Sequence, residues 1–461
     1  MIVFSRTDEL STLILSLPLS LSLFRVSACF GAGIVCILLV LSLSYLYFET
    51  NPEIIILIPE IPPTFHAVAE HGSNLVLMDQ SGVIIQSAGN QVMNNKPDTA
   101  KPTEQTRPET RHIAFLKVHK AASSTLQNII YRFGLNRNLS FVLPEESHYI
   151  SKSKQTINTV LPPLPYYDVS NSYRIANTLG KYDILCNHAV FNNETFNKLM
   201  HNDTIYIAIV RDPLTLFMSS AYYYRLVWPT TYLAEMNETD FILNLIREPV
   251  VFEPTNLTHS KTYNTMAQDF GFLFTTKTAA DTITENEFNT FVAETSRSFD
   301  FVLIVEMFDE SLVLLKRRSN WSLSDILYVK RNSLASSVNN ITIPALSTDD
   351  ISVFHQRNRF DYMLYNKFVN VFNATVSQEH RLAEEVEAFK GILKTVQYFC
   401  NSGVKSEILR IPDGEWTGEF TVSTRDCDLM LKDEMPFWQM MKVRHREMFD
   451  KGVGKQAKRQ M

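Results

Sequence analysis

Apolar and polar positions change rhythm several times along the chain. From Phe30 to Phe48 (FGAGIVCILLVLSLSYLYF) the run is apolar and carries no charge. That is close to the ~20 residues a bilayer-spanning helix needs. Tyr45 and Tyr47 stand at its far end, where an aromatic belt belongs. A shorter apolar run, Thr12 to Phe24, is broken by Pro18 and closed by Arg25. Arg6 and Arg25 on the near side predict an uncleaved signal anchor, with the N-terminus cytosolic and the body lumenal; Asp8 and Glu9 count little in that rule. A cleaved signal peptide is the alternative. The length of the run and the absence of a small-x-small site after it argue the other way. Both readings send the body into the secretory pathway.

Beyond the anchor, the Pro-rich pieces IPEIPP and KPDTAKPTEQTRPET show little sustained periodicity and read as a stem. The pattern then tightens. HIAFLKV (His112 to Val118), YDILC (Tyr182 to Cys186), TIYIAIV (Thr204 to Val210) and FVLIV (Phe301 to Val305) are short apolar strand candidates. Between them lie helical patterns. One starts near Ser123, puts Leu126, Ile129, Ile130 and Phe133 on one face, and is expected to stop at Gly134. Another, LTLFMSSAYYYRL, follows Asp212 and Pro213, a natural N-cap and first helical residue. A third is FDESLVLLKRR. Buried strands alternating with helices predict an α/β domain with a central, mainly parallel sheet. The expected organisation is a cytoplasmic tail (1–26), a transmembrane anchor (27–48), a stem (49–110), a lumenal domain (111–445) and a basic C-terminal tail (446–461).

Composition changes this picture little. With 45% hydrophobic and 20% charged residues, the 461-residue chain is ordinary globular protein. A net charge of -6 excludes a global polyanion binder, and no nucleic-acid partner is expected. Eight Asn-x-Ser/Thr sequons, at Asn138, Asn193, Asn202, Asn237, Asn256, Asn320, Asn340 and Asn373, agree with a lumenal body. Of the five cysteines, Cys29 and Cys36 fall in or beside the anchor. Cys186, Cys400 and Cys427 remain, enough for one bridge and one free thiol. Cys400 with Cys427 is the expected bridge, because both lie in the loop-rich C-terminal part.

Two turns carry candidate chemistry. Lys117-Val118-His119-Lys120-Ala121-Ala122-Ser123-Ser124-Thr125 joins a strand to a helix. Such a turn aims backbone N–H groups at one point, where the helix dipole favours an anion. It is not a Walker A loop, which needs glycines for its wrap; none lie here. The plain alternative is a helix capped by Ser123 or Ser124 with solvated lysines. The second turn is Arg211-Asp212-Pro213, with Ser219 and Ser220 on the helix after it. Arginine at the carboxyl end of a strand suits a phosphate, since its fork makes two hydrogen bonds. Its alternative is a surface Arg–Asp pair.

Together the two turns resemble the paired nucleotide signatures of sulfotransferases. The blocks FLKVHKAASSTLQNIIYRFG, YDILCNHAVF, AIVRDPLTLFMSSAYYY and FVLIVEMFDESLVLLKRRSNWSLSDILY resemble the galactose-3-O-sulfotransferases, from about His112 to Asn332. The resemblance implies a P-loop-like sulfotransferase fold. It implies an enzyme that moves a sulfuryl group from 3′-phosphoadenosine-5′-phosphosulfate (PAPS) to the 3-hydroxyl of a terminal β-galactose. The acceptor would be galactosylceramide or a related glycolipid, or else an N- or O-linked glycan. A Golgi type II membrane glycoprotein follows, with no metal and with a homodimer left open. Lys117, His119, Lys120, Ser123, Ser124 and Thr125 match the 5′-phosphosulfate loop, and Arg211 with Ser219 the 3′-phosphate pair. Ala121 and Val118 depart from it, each where threonine is expected.

Lys120 is placed to stabilise the leaving phosphate. His188, just after YDILC, is the favoured base, with an ordinary imidazole pKa suited to the task; His119 is the reserve. Asn264 and Asp269 in KTYNTMAQDFG are read as turn residues rather than sugar contacts. Tyr222, Tyr223, Tyr224 and Trp228 are read first as core and only second as a stacking surface. Glu306 is read equally as a cap, an ion-pair partner or a site residue. Two other classes compete. A kinase would need a Walker A loop or kinase signature, and neither is present. A non-catalytic glycosylated binding protein would have no use for both nucleotide turns.

Overall fold

The computed structural model describes residues 108–151, 158–161, 181–228, 231–236, 240–330, 344–402 and 408–460, together with five short strands before them. The chain divides into two units, Met1–Pro102 and Thr103–Met461. In the first, Ile2–Thr7, Leu10–Leu15 and Arg25–Ser27 form a three-stranded antiparallel sheet, and His66–Val68 pairs with Val76–Met78. The apolar run Phe30 to Phe48 lies outside the described residues. Among the described residues no helix is long and apolar enough to cross a membrane.

The second unit is built on four parallel strands: β1 (Ile113–Leu116), β2 (Ile184–Leu185), β3 (Ile205–Val210) and β4 (Phe301–Ile304), in the order β2-β1-β3-β4. The register pairs Ile113 with both Ile184 and Ile205, and Ile207 with Phe301. Each strand is buried along its length, except that Ile205 and Tyr206 are half-buried. That is why the strands read as unbroken apolar runs rather than alternating ones. The α/β expectation and all four strands hold.

Helix α1 (Ser123–Asn136) follows β1 and buries Leu126, Ile129, Ile130 and Phe133. It does not stop at Gly134 as expected. Gly134 lies inside the helix, and it is glycine because a Cβ there would collide with the Phe141 ring and stand 2.5 Å from Ile184 Cδ1. The glycine permits close packing and does not end the element. Helix α2 (Pro213–Val227) starts as expected: Asp212 accepts a hydrogen bond from the Thr215 N–H, and Pro213 opens the helix.

Helix α3 (Phe308–Ser319) follows β4, and with α4 (Arg359–Val376) it packs on that strand. Its C-terminal Lys316 and Arg317 pair at 2.8 and 2.6 Å with Glu385 of α5 (Leu382–Asn401), a carboxylate 2% exposed. Cys400 and Cys427 are bridged, as expected, which ties the end of α5 to α6 (Thr424–Met430); Cys186 is free and buried. Helix α7 (Glu434–Gln460) buries Phe437, Trp438 and Met441. It runs through the expected 445/446 boundary.

Candidate functional site

The turn from β1 into α1 makes the wrap that glycines make in a Walker A loop, but with other residues. Lys120 (φ 58°) and Ala122 (φ 50°) both take the left-handed conformation. For residues with a Cβ this is sparsely populated backbone, retained where the surroundings over-determine it. Ala122 is the N-cap and caps with no side chain. The plain alternative, a serine-capped helix, is not what forms. Ser123 Oγ instead donates to Val118 O at 2.5 Å, and Ser124 Oγ donates to Glu434 at 2.9 Å. The start of α1 therefore presents backbone N–H groups without a side-chain acceptor. Thr125, half-buried in the same first turn, bonds its N–H back to Ala122 O.

Three cations surround this turn. Lys117 is 2% exposed. Its Nζ donates to Glu434 Oε2 at 3.0 Å and to Ser124 Oγ at 3.3 Å, and lies 2.9 Å from His188 Nε2. Lys120 Nζ sits 3.5 Å from the centroid of the Tyr223 ring. Burial, then the charges of Lys117 and Arg211, pull the Lys120 ammonium down to about 8. Arg211, at the end of β3, donates from Nη1 to Lys120 O at 3.0 Å and so ties the second turn to the first. Ser219 is four residues before Tyr223, hence on the α2 face that meets Lys120. Ser220 points elsewhere, donating to Lys261 O. Glu306 accepts from the Asp212 N–H and from Tyr365, bracing the Arg211-Asp212-Pro213 turn.

Two histidines stack here, with ring centroids 4.1 Å apart. His188 is buried, and its Nδ1 is 3.2 Å from Lys117 O. An N–H there must donate to that carbonyl, so Nε2 accepts from the Lys117 ammonium. Burial, then Lys117, His119 and His148, hold its pKa well below the usual imidazole range. This differs from the unperturbed value expected of it: His188 is neutral and both ring nitrogens are engaged.

His119 is oriented differently. Its backbone N–H donates to Asp269 Oδ2 at 2.7 Å, and its Nδ1 lies 2.9 Å from Asp269 Oδ1. The carboxylate fixes the proton on Nδ1 and leaves Nε2 as the acceptor, 3.4 Å from the Tyr149 hydroxyl. Burial, then Asp269, push that phenol up to about 12, so it stays an O–H donor.

Asp269 thus reaches His119 in the candidate site as well as sitting in its own turn. Asn264 is the turn residue expected: left-handed at φ 40°, buried, and bonded to Arg357 O, Asn358 and the Asp361 N–H. Of the aromatic run, Tyr224 is core and Tyr223 faces Lys120. Trp228 is 43% exposed.

Glu434, at the start of α7, is the residue sequence reasoning missed. It lies 317 positions from the lysine it pairs with, in no recognisable motif. Burial pushes its carboxyl up, but the Lys117 charge and the bonds from Lys117 and Ser124 outweigh that and leave it lowered. His148, His188 and Glu434 could in principle share a metal. The Lys117 ammonium, however, already stands against both His188 and Glu434 as their cation.

The chain's likeness to known proteins covers this region. A family model described as galactose-3-O-sulfotransferase matches residues 70–409. The chain is 30% identical over 308 residues to galactose-3-O-sulfotransferase 2 of Mus musculus, spanning 65% of this chain and 72% of that one. It is 29% identical over 318 residues to galactosylceramide sulfotransferase of Mus musculus, spanning 67% and 69%. It is 29% identical over 297 residues to galactose-3-O-sulfotransferase 3 of Mus musculus, spanning 63% and 64%. Glu434 lies past the last residue that the family model matches.

Proposed function

The chain belongs to the galactose-3-O-sulfotransferase family and is a sulfotransferase, and from that premise we propose that it moves a sulfuryl group from PAPS to the 3-hydroxyl of a terminal β-galactose. The observation that carries the donor assignment is the turn Lys117 to Ser124. Two left-handed residues precede an uncapped helix start, and Lys117, Lys120 and Arg211 converge on it. That donor set fits a dianionic phosphosulfate group.

Bound there, PAPS supplies the sulfuryl group and a phosphate as leaving group. Lys120, whose ammonium faces the Tyr223 ring, offsets the charge that develops on the leaving oxygen. Lys117 and the first N–H groups of α1 act at the same point. Arg211 holds the loop through Lys120 O and, with Ser219, takes the 3′-phosphate. We assign the base to His119: Nε2 takes the proton from the galactose hydroxyl while Asp269 holds Nδ1–H and stabilises the imidazolium. His188, the candidate the sequence favoured, serves better as a positioning residue that steers the Lys117 ammonium.

Galactosylceramide is the first acceptor proposed, because a relative bears that name. A glycoprotein glycan is the second, because the equally similar galactose-3-O-sulfotransferase 2 is named for the galactose and not for a lipid. We place the reaction in the Golgi lumen on a type II anchor: the run Phe30 to Phe48 and the eight sequons support a lumenal body, and the family resemblance adds the Golgi.

The test offers labelled PAPS with galactosylceramide, lactosylceramide and an N-acetyllactosamine glycan in parallel. Label on galactose O3 of one of them, lost in Arg211→Ala, is the expected result and names the acceptor. No label with nucleotide still bound would refute the acceptors, and failure to bind adenosine 3′,5′-bisphosphate would refute the donor.

A further inference from the structure

We propose that His112, Asp183 and His201 form a zinc-type divalent-cation site at the end of the sheet opposite the candidate active site. The proposal is independent of the sulfuryl-transfer reading. His112 precedes β1, Asp183 precedes β2, and His201 lies in the loop before β3. Parallel pairing brings them together: the Ile113 N–H donates to Asp183 O, and the Ile205 N–H donates to His112 O. The Lys117 turn lies at the other end of the same strands.

The ligand atoms converge. His112 Nε2 is 3.3 Å, and His201 Nε2 3.5 Å, from the same oxygen, Asp183 Oδ1, and one ligand atom from each residue lies within 4.8 Å of the other two. Ligands about 2.0–2.1 Å from a tetrahedral zinc stand about 3.3–3.4 Å apart.

The surrounding bonds leave these atoms available. His112 Nδ1 is held by Asp203 Oδ1 at 2.7 Å, which turns Nε2 toward Asp183. A carboxylate behind a histidine, fixing its tautomer, is the usual outer partner of a zinc ligand. Asp183 Oδ2 accepts from the Ser140 N–H at 2.7 Å and from Ser140 Oγ at 2.8 Å. Asp183 is thereby anchored by one oxygen, with Oδ1 turned to the two imidazoles. A divalent ion bound there serves all three atoms at once. The two rings now stack with centroids 4.1 Å apart and planes at 19°, so one ring must turn about Cβ–Cγ to aim both nitrogens at one ion. Three protein ligands leave a fourth position for water. Pinning three strand ends is a structural task.

The experiment strips the full chain with EDTA and titrates it with Co2+, then displaces the cobalt with Zn2+. The expected result is one equivalent of Co2+ with the strong visible band of four-coordinate geometry, bleached by Zn2+. Zn2+ at a hundredfold excess over its Kd raises Tm by about 4 °C. Asp183→Asn and His201→Gln each abolish the band and the shift. His201→Gln keeps sulfate transfer, because it lies outside the Lys117 turn. The wild-type readout needs no variant to fold. No band and no shift, a band that survives either substitution, or a band lost instead in His188→Gln would overturn the site.

Discussion

Lys120 and His119 are neighbours in sequence, yet the structure sets them different tasks. Lys120 is drawn down to about 8 by burial and by the charges of Lys117 and Arg211. Below pH 8 it is an ammonium able to hold an anion; above pH 8 it loses that charge. The donor kcat/KM of the free enzyme should therefore fall as pH rises through about 8, and Lys120→Arg should move that limb to higher pH. A pH series of initial rates checks both. His119 owes its orientation to Asp269. His119→Ala should lower kcat by about 10²–10⁴ with little change in donor KM. Asp269→Asn should lower kcat as well, since it removes the charge that favours the imidazolium. Steady-state kinetics with donor and acceptor varied separately would show it; a fall in donor affinity instead would return His119 to a loop-orienting role. These residues were legible as candidates because they crowd into one strand-to-helix turn. Their division of labour was not legible, because Asp269 is 150 positions away.

At the scale of elements, the apolar rhythm located strands and helices well. β1 to β4, α1, α2 and α3 all fall where it put them, since parallel strands covered on both faces must be apolar throughout. One boundary it misplaced is instructive. Gly134 looks like a stop, but what it records is contact with a neighbour, which no local pattern contains. Gly134→Ala should destabilise the domain by about 1–3 kcal/mol through overpacking, read as a lower urea midpoint at unchanged m-value. The turn before α1 makes the same point. Its left-handed residues are Lys120 and Ala122, types that do not announce that conformation.

The whole molecule closes its site with a distant part of itself. α7 delivers Glu434 to Lys117 and Ser124, the groups assigned to the donor. The carboxylate competes with an incoming anion for the same ammonium. Glu434→Gln keeps a hydrogen-bonding side chain but removes the charge, and should lower the donor KM about fivefold, roughly 1 kcal/mol. A raised KM would instead make Glu434 a support that holds Lys117 in place. The Cys400–Cys427 bridge secures the segment just before α7. It closes a loop of 27 residues, so replacing both cysteines by serine should cost about 3–4 kcal/mol. Chemical denaturation of the oxidised protein and the double variant measures that difference.

The amino-acid sequence by itself determined the alternation of buried strands and helices, the two strand-to-helix turns, the family and the cysteine pair. Each is written in residues close together or in period, and burial and helix capping act over that range. Tertiary structure alone decided which histidine meets a carboxylate, which lysine is buried against which acid, and that three strand ends gather two imidazoles and Asp183. Those outcomes depend on how parallel strands register and on where α7 returns. The free energy of a charge is set by the groups that surround it after folding, whatever their distance along the chain.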